Sequence, residues 1–427
     1  MTHRLFVAGE RVPALTARDF LWDELGRRSS FWTSIDPDGH AIGVTMVGAR
    51  ELLRLGIGVY LVDRTVPRAR FGWSRDLDLE LPVADVGAWQ DRAPAVEALL
   101  DFLSGDHWAL SFRRFRGSPI TRAAANRRSD HDLVSLFSGG MDSFAGAARA
   151  IREGAHPHLV GQWNWTAVRG SQGGALDALE HLTGARPEFA AVHAGRRAQQ
   201  IAGGAFGTEA SSRSRSLLFL AIGAAVATGT RAQEVWVPEN GWVSLNVPLD
   251  GSRRSSLTTR TTHPGLLDEL TGLAGDLGLG IRFRNAWEGR TKGDLVRWVA
   301  NEWGDEAAAD AFAATDSCAK SGMQFYRLRP DTHCGVCYAC LVRRGAFLAA
   351  GVPDRTPYAD SLLTGADRDR FMRNRRHDLA AIGAAGRDGH FAIEDILALD
   401  LPPRIRPDDA LALANRGLDE VRLVTIP

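Results

Sequence analysis

Cysteine is scarce in this chain of 427 residues: there are four, and all lie between Cys318 and Cys340. A secreted disulfide scaffold spreads its cysteines through a much shorter chain, so that class is excluded and a cytoplasmic protein is expected. Charge of one sign is lacking too, since Lys plus Arg and Asp plus Glu both number 51. The global balance therefore gives no sign of a nucleic-acid or membrane partner. Long apolar runs are missing: the longest, Leu217 to Ala227, is far below the ~18 residues that cross a bilayer. The opening MTHRLFVAGERVPA has no apolar core of signal-peptide length. Internal repeats and low-complexity tracts are also absent.

What is present is an ordinary globular composition, 44% hydrophobic and 24% charged. The length exceeds a single core of roughly 250–300 residues, so two or three domains are expected. In residues 1–130, HAIGVTMVG and GIGVYLVD read as strands, with PDG and DRTVPR as turns, and VEALLDFLS reads as a helix. This suggests a β-rich N-terminal extension. Six arginines follow in SFRRFRGSPITRAAANRRS (Arg113, Arg114, Arg116, Arg122, Arg127 and Arg128). Such a stretch is either a solvated connector or a contact for nucleic acid or an acidic partner.

From Leu133 the pattern changes. The apolar runs LVSLF, HLVGQWNW, EFAAVHA and EVWVPEN alternate with helical stretches such as ALDALEHL and SRSLLFLAIGAAVAT. That alternation predicts an α/β fold with a doubly wound parallel sheet over residues 131–317. Ligands of such sheets bind beyond the carboxyl ends of the strands. Residues 318–427 are expected to hold the cysteines and a helical region.

The strongest local signal is LVSLFSGGMDSFAGA, a buried strand turning at Ser138-Gly139-Gly140 into a helix that opens with Met141, Asp142 and Ser143. Glycines let the backbone approach an anion, and the helix start supplies free N–H groups and a favourable dipole. Ser138 and Ser143 add hydroxyl donors, and Asp142 can orient Mg²⁺ or the loop itself. No Gly-Lys-Ser/Thr follows, so this is not a Walker A loop. The spacing Cys318-x15-Cys334-x2-Cys337-x2-Cys340 supplies four thiolates, the number a closed structural zinc site needs. An iron–sulfur cluster is the alternative, and His333 is a competing ligand. Trp163 and Trp165 can stack on a base or fill the core. In the loop PENGWVSLNVPLDGSRRSSLTTRTTHP, Glu239, Asn240, Arg253, Arg260, Thr262 and His263 are candidates for contacting a base or carboxylate.

The stretch SGGMDS, residues 138–143, resembles the SGGxDS signature of the PP-loop (HUP-like, N-type ATP pyrophosphatase) superfamily. Together with SC…CGVCYAC and the following Arg343-Arg344, it resembles the QueC family of 7-cyano-7-deazaguanine synthases, over about Leu133 to Phe347. The resemblance implies ATP bound by Phe137, Ser138, Gly139, Gly140, Met141, Asp142, Ser143 and Trp163, with Mg²⁺ and structural zinc. It implies adenylation of 7-carboxy-7-deazaguanine, release of pyrophosphate, and passage of the acyl group to ammonia. Arg215 matches a family arginine, with Ser216 replacing an asparagine, and Thr291-Lys292 matches a Ser-Lys pair whose lysine neutralises phosphate charge. Asp142, Ser143, Lys292 and Arg215 are thus the expected catalytic groups.

QWNWTAVRG and the altered loop after EVWV depart from the family pattern. With the N-terminal extension they look more like the QueC-like proteins of antiphage systems, Qat and type IV CBASS. There the expected acceptor is a protein amine. A tRNA-modifying PP-loop enzyme and a housekeeping synthase of queuosine biosynthesis are the alternatives.

Overall fold

Two mainly parallel sheets carry the fold, with one buried helix wedged beside them. The computed structural model describes residues 2–7, 10, 12–22, 29–34, 46–68, 74–115, 131–164, 166–249, 260–319, 323–373 and 389–425. The N-terminal strands are β1 (His3–Val7), β2 (Asp19–Trp22), β3 (Phe31–Thr33), β4 (Asp76–Val83) and β5 (His107–Arg114), with helices α1 (Val47–Thr65) and α2 (Val86–Ser104). Four of these strands form a parallel sheet in the order β2-β1-β4-β5. The fifth, β3, leaves it for the second sheet.

The second sheet contains β6 (Leu133–Leu136), β7 (Pro157–Trp163), β8 (Phe189–Arg196), β9 (Glu234–Trp236) and β10 (Arg282–Arg284). Its order is β10-β9-β6-β7-β8-β3, parallel throughout except for β3 against β8. Helices α3 (Met141–Arg152), α4 (Thr166–Thr183), α5 (Arg215–Thr230), α6 (Gly241–Leu245), α7 (Pro264–Asp276), α8 (Lys292–Trp303) and α9 (Asp305–Ala313) connect or follow these strands. The α/β alternation expected from Leu133 onward is present. The chain runs outward from β6 to β8, then returns through α5 to β9 on the other side of β6. The loops after β6 and β9 therefore diverge, which opens a crevice at the strands' carboxyl ends. Beyond α9, α10 (Tyr338–Ala350) and further helices pack over a small core around Met323, Cys334, Cys337, Cys340 and Phe371.

The N-terminal region corrects the sequence reading. GIGVYLVD, expected as a strand, lies inside α1, whereas residues 40–45 of HAIGVTMVG lie outside the described residues and only its last residues, Val47 and Gly48, are seen to open the same helix. Almost every residue of α1 is buried. A helix covered on all sides has no polar stripe, so its apolar, β-branched run reads like a central strand. The region is accordingly α/β rather than β-rich.

Two glycines let α1 pack closely on both flanks. A Cβ on Gly58 would meet the side chains of Leu79 and Leu81 in β4, and one on Gly56 would meet Ala221 Cβ at 3.1 Å and Leu218 Cα at 3.2 Å in α5. One continuous core consequently joins Leu5, Phe20 and Leu79 of the first sheet to Val134, Leu217 and Leu270 of the second unit. A polar tie runs the same way. Asp63 of α1 accepts from Arg75 Nη2 (2.5 Å) and from Ser214 N and Oγ (3.1 and 2.7 Å), and Ser214 is the residue that caps α5. No helix among the described residues is long and apolar enough to cross a membrane.

Gly56→Leu is expected to force α1 from α5 and destabilise the chain by about 1–3 kcal/mol, the usual cost of overpacking. Thermal denaturation read by circular dichroism checks this, and an unchanged midpoint would mean that the two units do not share this contact.

Candidate functional site

The loop after β6 turns on a residue that only glycine fits comfortably. Gly139 adopts φ +86°, and a Cβ there would press on the backbone of Gln172, 3.0 Å from its N. The first helical bond of α3 runs from Phe144 N to Gly140 O at 3.0 Å. The N–H groups of Met141, Asp142 and Ser143 thus have no helical acceptor and point their positive dipole end toward the crevice. Ser138 Oγ lies 3.1 Å from Ser143 Oγ and 3.3 Å from Gly140 N, and Ser143 Oγ donates to Gly140 O at 3.0 Å. The loop is held by its own hydroxyls.

Asp142 is the centre of the site. Its Oδ1 accepts from Asn240 N and Asn240 Nδ2, both at 3.0 Å, and its Oδ2 pairs with Lys292 Nζ. Both charged side chains are buried, at 11% and 7% exposure. Removing one partner of such a pair typically costs about 3–5 kcal/mol, because the other charge is left buried. Lys292 is delivered by the first turn of α8, where Thr291 and Asp294 form a capping box. Asn240 lies in the loop after β9, and its Oδ1 caps α6 by accepting from Val243 N at 3.0 Å. Glu239, half-buried, accepts from Asn240 Nδ2 at 3.0 Å. Desolvation first, and then the neighbouring Asp142 carboxylate, push its carboxyl up to about 8.

On the β7–β8 side stands an aromatic group that sequence reading found only in part. Trp163, at the end of β7, stacks on His193 of β8 with ring centroids 3.9 Å apart at 12°. Trp32 of β3 packs edge-on against the same imidazole, and Arg169 lies over Trp163 at 5.3 Å. Desolvation and the Arg169 charge hold His193 below its usual range. Trp32 arrives because β3 pairs with β8, placing it opposite Gly195. Trp165 and Arg253 lie outside the described residues, as do Arg116, Arg122, Arg127 and Arg128.

Arg215 opens α5 and donates from Nε to Gln162 Oε1 at 2.9 Å, which ties it to the end of β7. Gln162 and Gln172 are both buried, and Gln172 Nε2 lies 3.4 Å from Phe137 O and 3.3 Å from Gln162 O. These two glutamines connect the loop to the aromatic side. Arg260 and His263 behave differently. Arg260 stacks on Phe102 at 4.2 Å, and His263 meets the same ring edge-on while its Nδ1 accepts from Gly265 N at 3.2 Å. Burial and then Arg260 pull His263 down to about 4. Among the described residues neither has a hydrogen bond or ion pair to the Asp142 centre. Thr262 does reach it indirectly, through Ser244 Oγ (3.1 Å), Asn285 Nδ2 and Glu239 O.

The four cysteines converge. One sulfur from each of Cys318, Cys334, Cys337 and Cys340 falls within 4.8 Å of the others. Sulfurs about 2.3 Å from a tetrahedral zinc stand about 3.8 Å apart, since a tetrahedron's edge is about 1.63 times its radius. Cys334 Sγ and Cys340 Sγ are 3.8 Å apart. The donor set thus fits a tetrahedral metal. The cluster also braces the loop: Cys318 N donates to Asp316 Oδ1 at 2.9 Å, and Asp316 N donates to Gly139 O at 3.0 Å.

A glycine turn feeding a helix start, at the switch point of a parallel sheet, is the general form of a site for a phosphorylated ligand. No family model matches the chain. A stretch of 49 residues is 51% identical to the 7-cyano-7-deazaguanine synthase of Ruegeria pomeroyi, covering 12% of this chain and 18% of that protein. The likeness is local and reaches the QueC family at most.

The Glu239 carboxyl titrates higher folded than unfolded, so it subtracts stability as pH rises from about 4.5 toward 8. Glu239→Gln is therefore expected to melt above the unsubstituted protein at about pH 8.5 without Mg²⁺, with the gap narrowing toward about pH 4.5. A gap independent of pH would show that Glu239 is not held near Asp142.

Proposed function

We propose that this chain is an ATP-dependent PP-loop enzyme of the QueC type, which adenylates a carboxylate and passes the acyl group to nitrogen. The observation that carries this reading is the Asp142 centre, where a phosphate loop, a buried lysine and a second carboxylate meet at the crevice. The local identity to a 7-cyano-7-deazaguanine synthase supports 7-carboxy-7-deazaguanine as the carboxylate. In this reading residues 131–317 perform the reaction, and residues 318–427 contribute the four-cysteine zinc site, which is structural because all four positions are filled by thiolates.

An oxygen of the substrate carboxylate attacks the α-phosphorus of ATP. The bond from that phosphorus to the bridging oxygen breaks, and pyrophosphate leaves. The N–H groups of Met141 to Ser143, the hydroxyls of Ser138 and Ser143, and Lys292 hold the departing charge. Asp142 and Glu239 would hold Mg²⁺, which supplies further neutralisation of phosphate charge. A nitrogen nucleophile then attacks the acyl carbon, loses a proton, and expels AMP. Arg215, held by Gln162 at the end of β7, would meet the acyl end in this reading. The Trp163–His193–Trp32 group offers a flat face for a base. Because Trp32 belongs to the N-terminal region, that region is part of the site. This supports placing the chain with the N-terminally extended QueC-like proteins of antiphage systems, whose acceptor nitrogen is a protein amine.

The test is release of pyrophosphate and AMP from ATP–Mg²⁺, with and without 7-carboxy-7-deazaguanine. Stimulated release is expected, with Asp142→Asn lowering kcat by a factor on the order of 10²–10³. Trp32→Ala is expected to raise the KM of a base-bearing substrate ~10-fold, the scale of one lost stacking contact. Formation of ADP, or release indifferent to the carboxylate, would overturn the reading.

A further inference from the structure

The opposite edge of the second sheet holds a cluster for which the proposed reaction has no use. His131 precedes β6, His158 is the second residue of β7, and Glu188 immediately precedes β8. Three neighbouring strands therefore bring these side chains together. His131 Nε2 lies 3.4 Å from Glu188 Oε2, and His158 Nδ1 lies 3.6 Å from the same oxygen. One donor atom from each residue falls within 4.8 Å of the other two.

The orientation of the His131 ring suits ligation. His131 Nδ1 is 3.2 Å from the His156 carbonyl oxygen, so that nitrogen donates its N–H there and Nε2 faces Glu188. Metal-bound imidazoles typically anchor their second nitrogen in this way. Among the described residues, His131 Nε2 and both nitrogens of His158 are buried without a hydrogen-bond partner. Nitrogen and oxygen ligands about 2.0–2.1 Å from a tetrahedral ion stand about 3.3–3.4 Å apart, by the same edge rule that the thiols satisfy. The 3.4 Å separation matches that edge and the 3.6 Å one is slightly longer; both are long for direct hydrogen bonds.

We propose that His131, His158 and Glu188 form a second metal site, for zinc or a similar divalent first-row ion, with its fourth position open to water. Glu188 is 60% exposed, so the ion enters from solvent. The phosphate loop follows the other end of β6, roughly 20 Å away at the usual rise of a strand. The ion thus pins the entries of three strands and takes no part in chemistry at the Asp142 centre. The inference does not depend on the adenylation reading.

The experiment is metal analysis of the full chain, stripped with a mild chelator and equilibrated with Zn²⁺, by mass spectrometry and zinc titration. Two equivalents per chain are expected, one of which survives the chelator in the cysteine cluster. Glu188→Gln, at an exposed position, should keep the fold and the first equivalent while weakening the second at least ~10-fold. His158→Ala should abolish the second. In the reciprocal variant Cys337→Ser, the first equivalent is lost and the second kept. Binding of one equivalent by the unsubstituted protein, or a second equivalent indifferent to Glu188→Gln, would overturn the proposal and leave a histidine–glutamate ion pair.

Discussion

The Asp142 carboxylate joins segments that lie far apart in the chain. Asn240, 98 positions on, donates to it twice, and Lys292, 150 positions on, pairs with it in a buried setting. A buried ion pair contributes little net stability once desolvation is counted, so stability alone is a weak reason to retain one. Here it sets position. It fixes the start of α3 against the loop after β9 and the start of α8, and these three elements line the switch-point crevice. The loop after β6 can present its N–H groups in a constant geometry only while this junction holds.

Two further braces converge on the loop from outside. The cysteine cluster reaches it through Cys318, Asp316 and the carbonyl of Gly139. The N-terminal unit reaches the far side of the site through Asp63, which holds the N-cap of α5 just before Arg215. β3 adds Trp32 to the aromatic group by pairing with β8. Loss of the cysteine cluster or of the α1–α5 contact should therefore be felt at the crevice. This is the physical sense in which the N-terminal and C-terminal parts belong to one structural unit with the crevice.

The parts legible in sequence were those whose chemistry is local. SGGMDS carries its turn, its helix start and its hydroxyls within six residues, and the strands from Leu133 onward are short apolar runs bounded by helices. The cysteines were legible because four thiols at close spacing have few other uses. What escaped was set by tertiary context. The strand-like run in α1 reflects burial on every side, which erases helical periodicity. Trp32 and His193 meet only because an N-terminal strand crosses to the second sheet, and Gln162, Gln172 and Asp316 matter through tertiary hydrogen bonds, several of them to backbone groups of other segments, that have no sequence signature. His131, His158 and Glu188 are separated by intervals no metal motif uses, and only strand alignment unites them. Conversely, Arg260 and His263 were attractive as charged loop residues, yet they pack on Phe102.

The most direct test of the chemistry at Asp142 is the fate of a labelled oxygen. With 7-carboxy-7-deazaguanine carrying ¹⁸O in its carboxylate, attack on the α-phosphorus and later expulsion of AMP move one carboxylate oxygen to the nucleotide. The proposed adenylation predicts AMP bearing a single ¹⁸O atom. Unlabelled AMP, with all the label retained in the deazaguanine product, would contradict it.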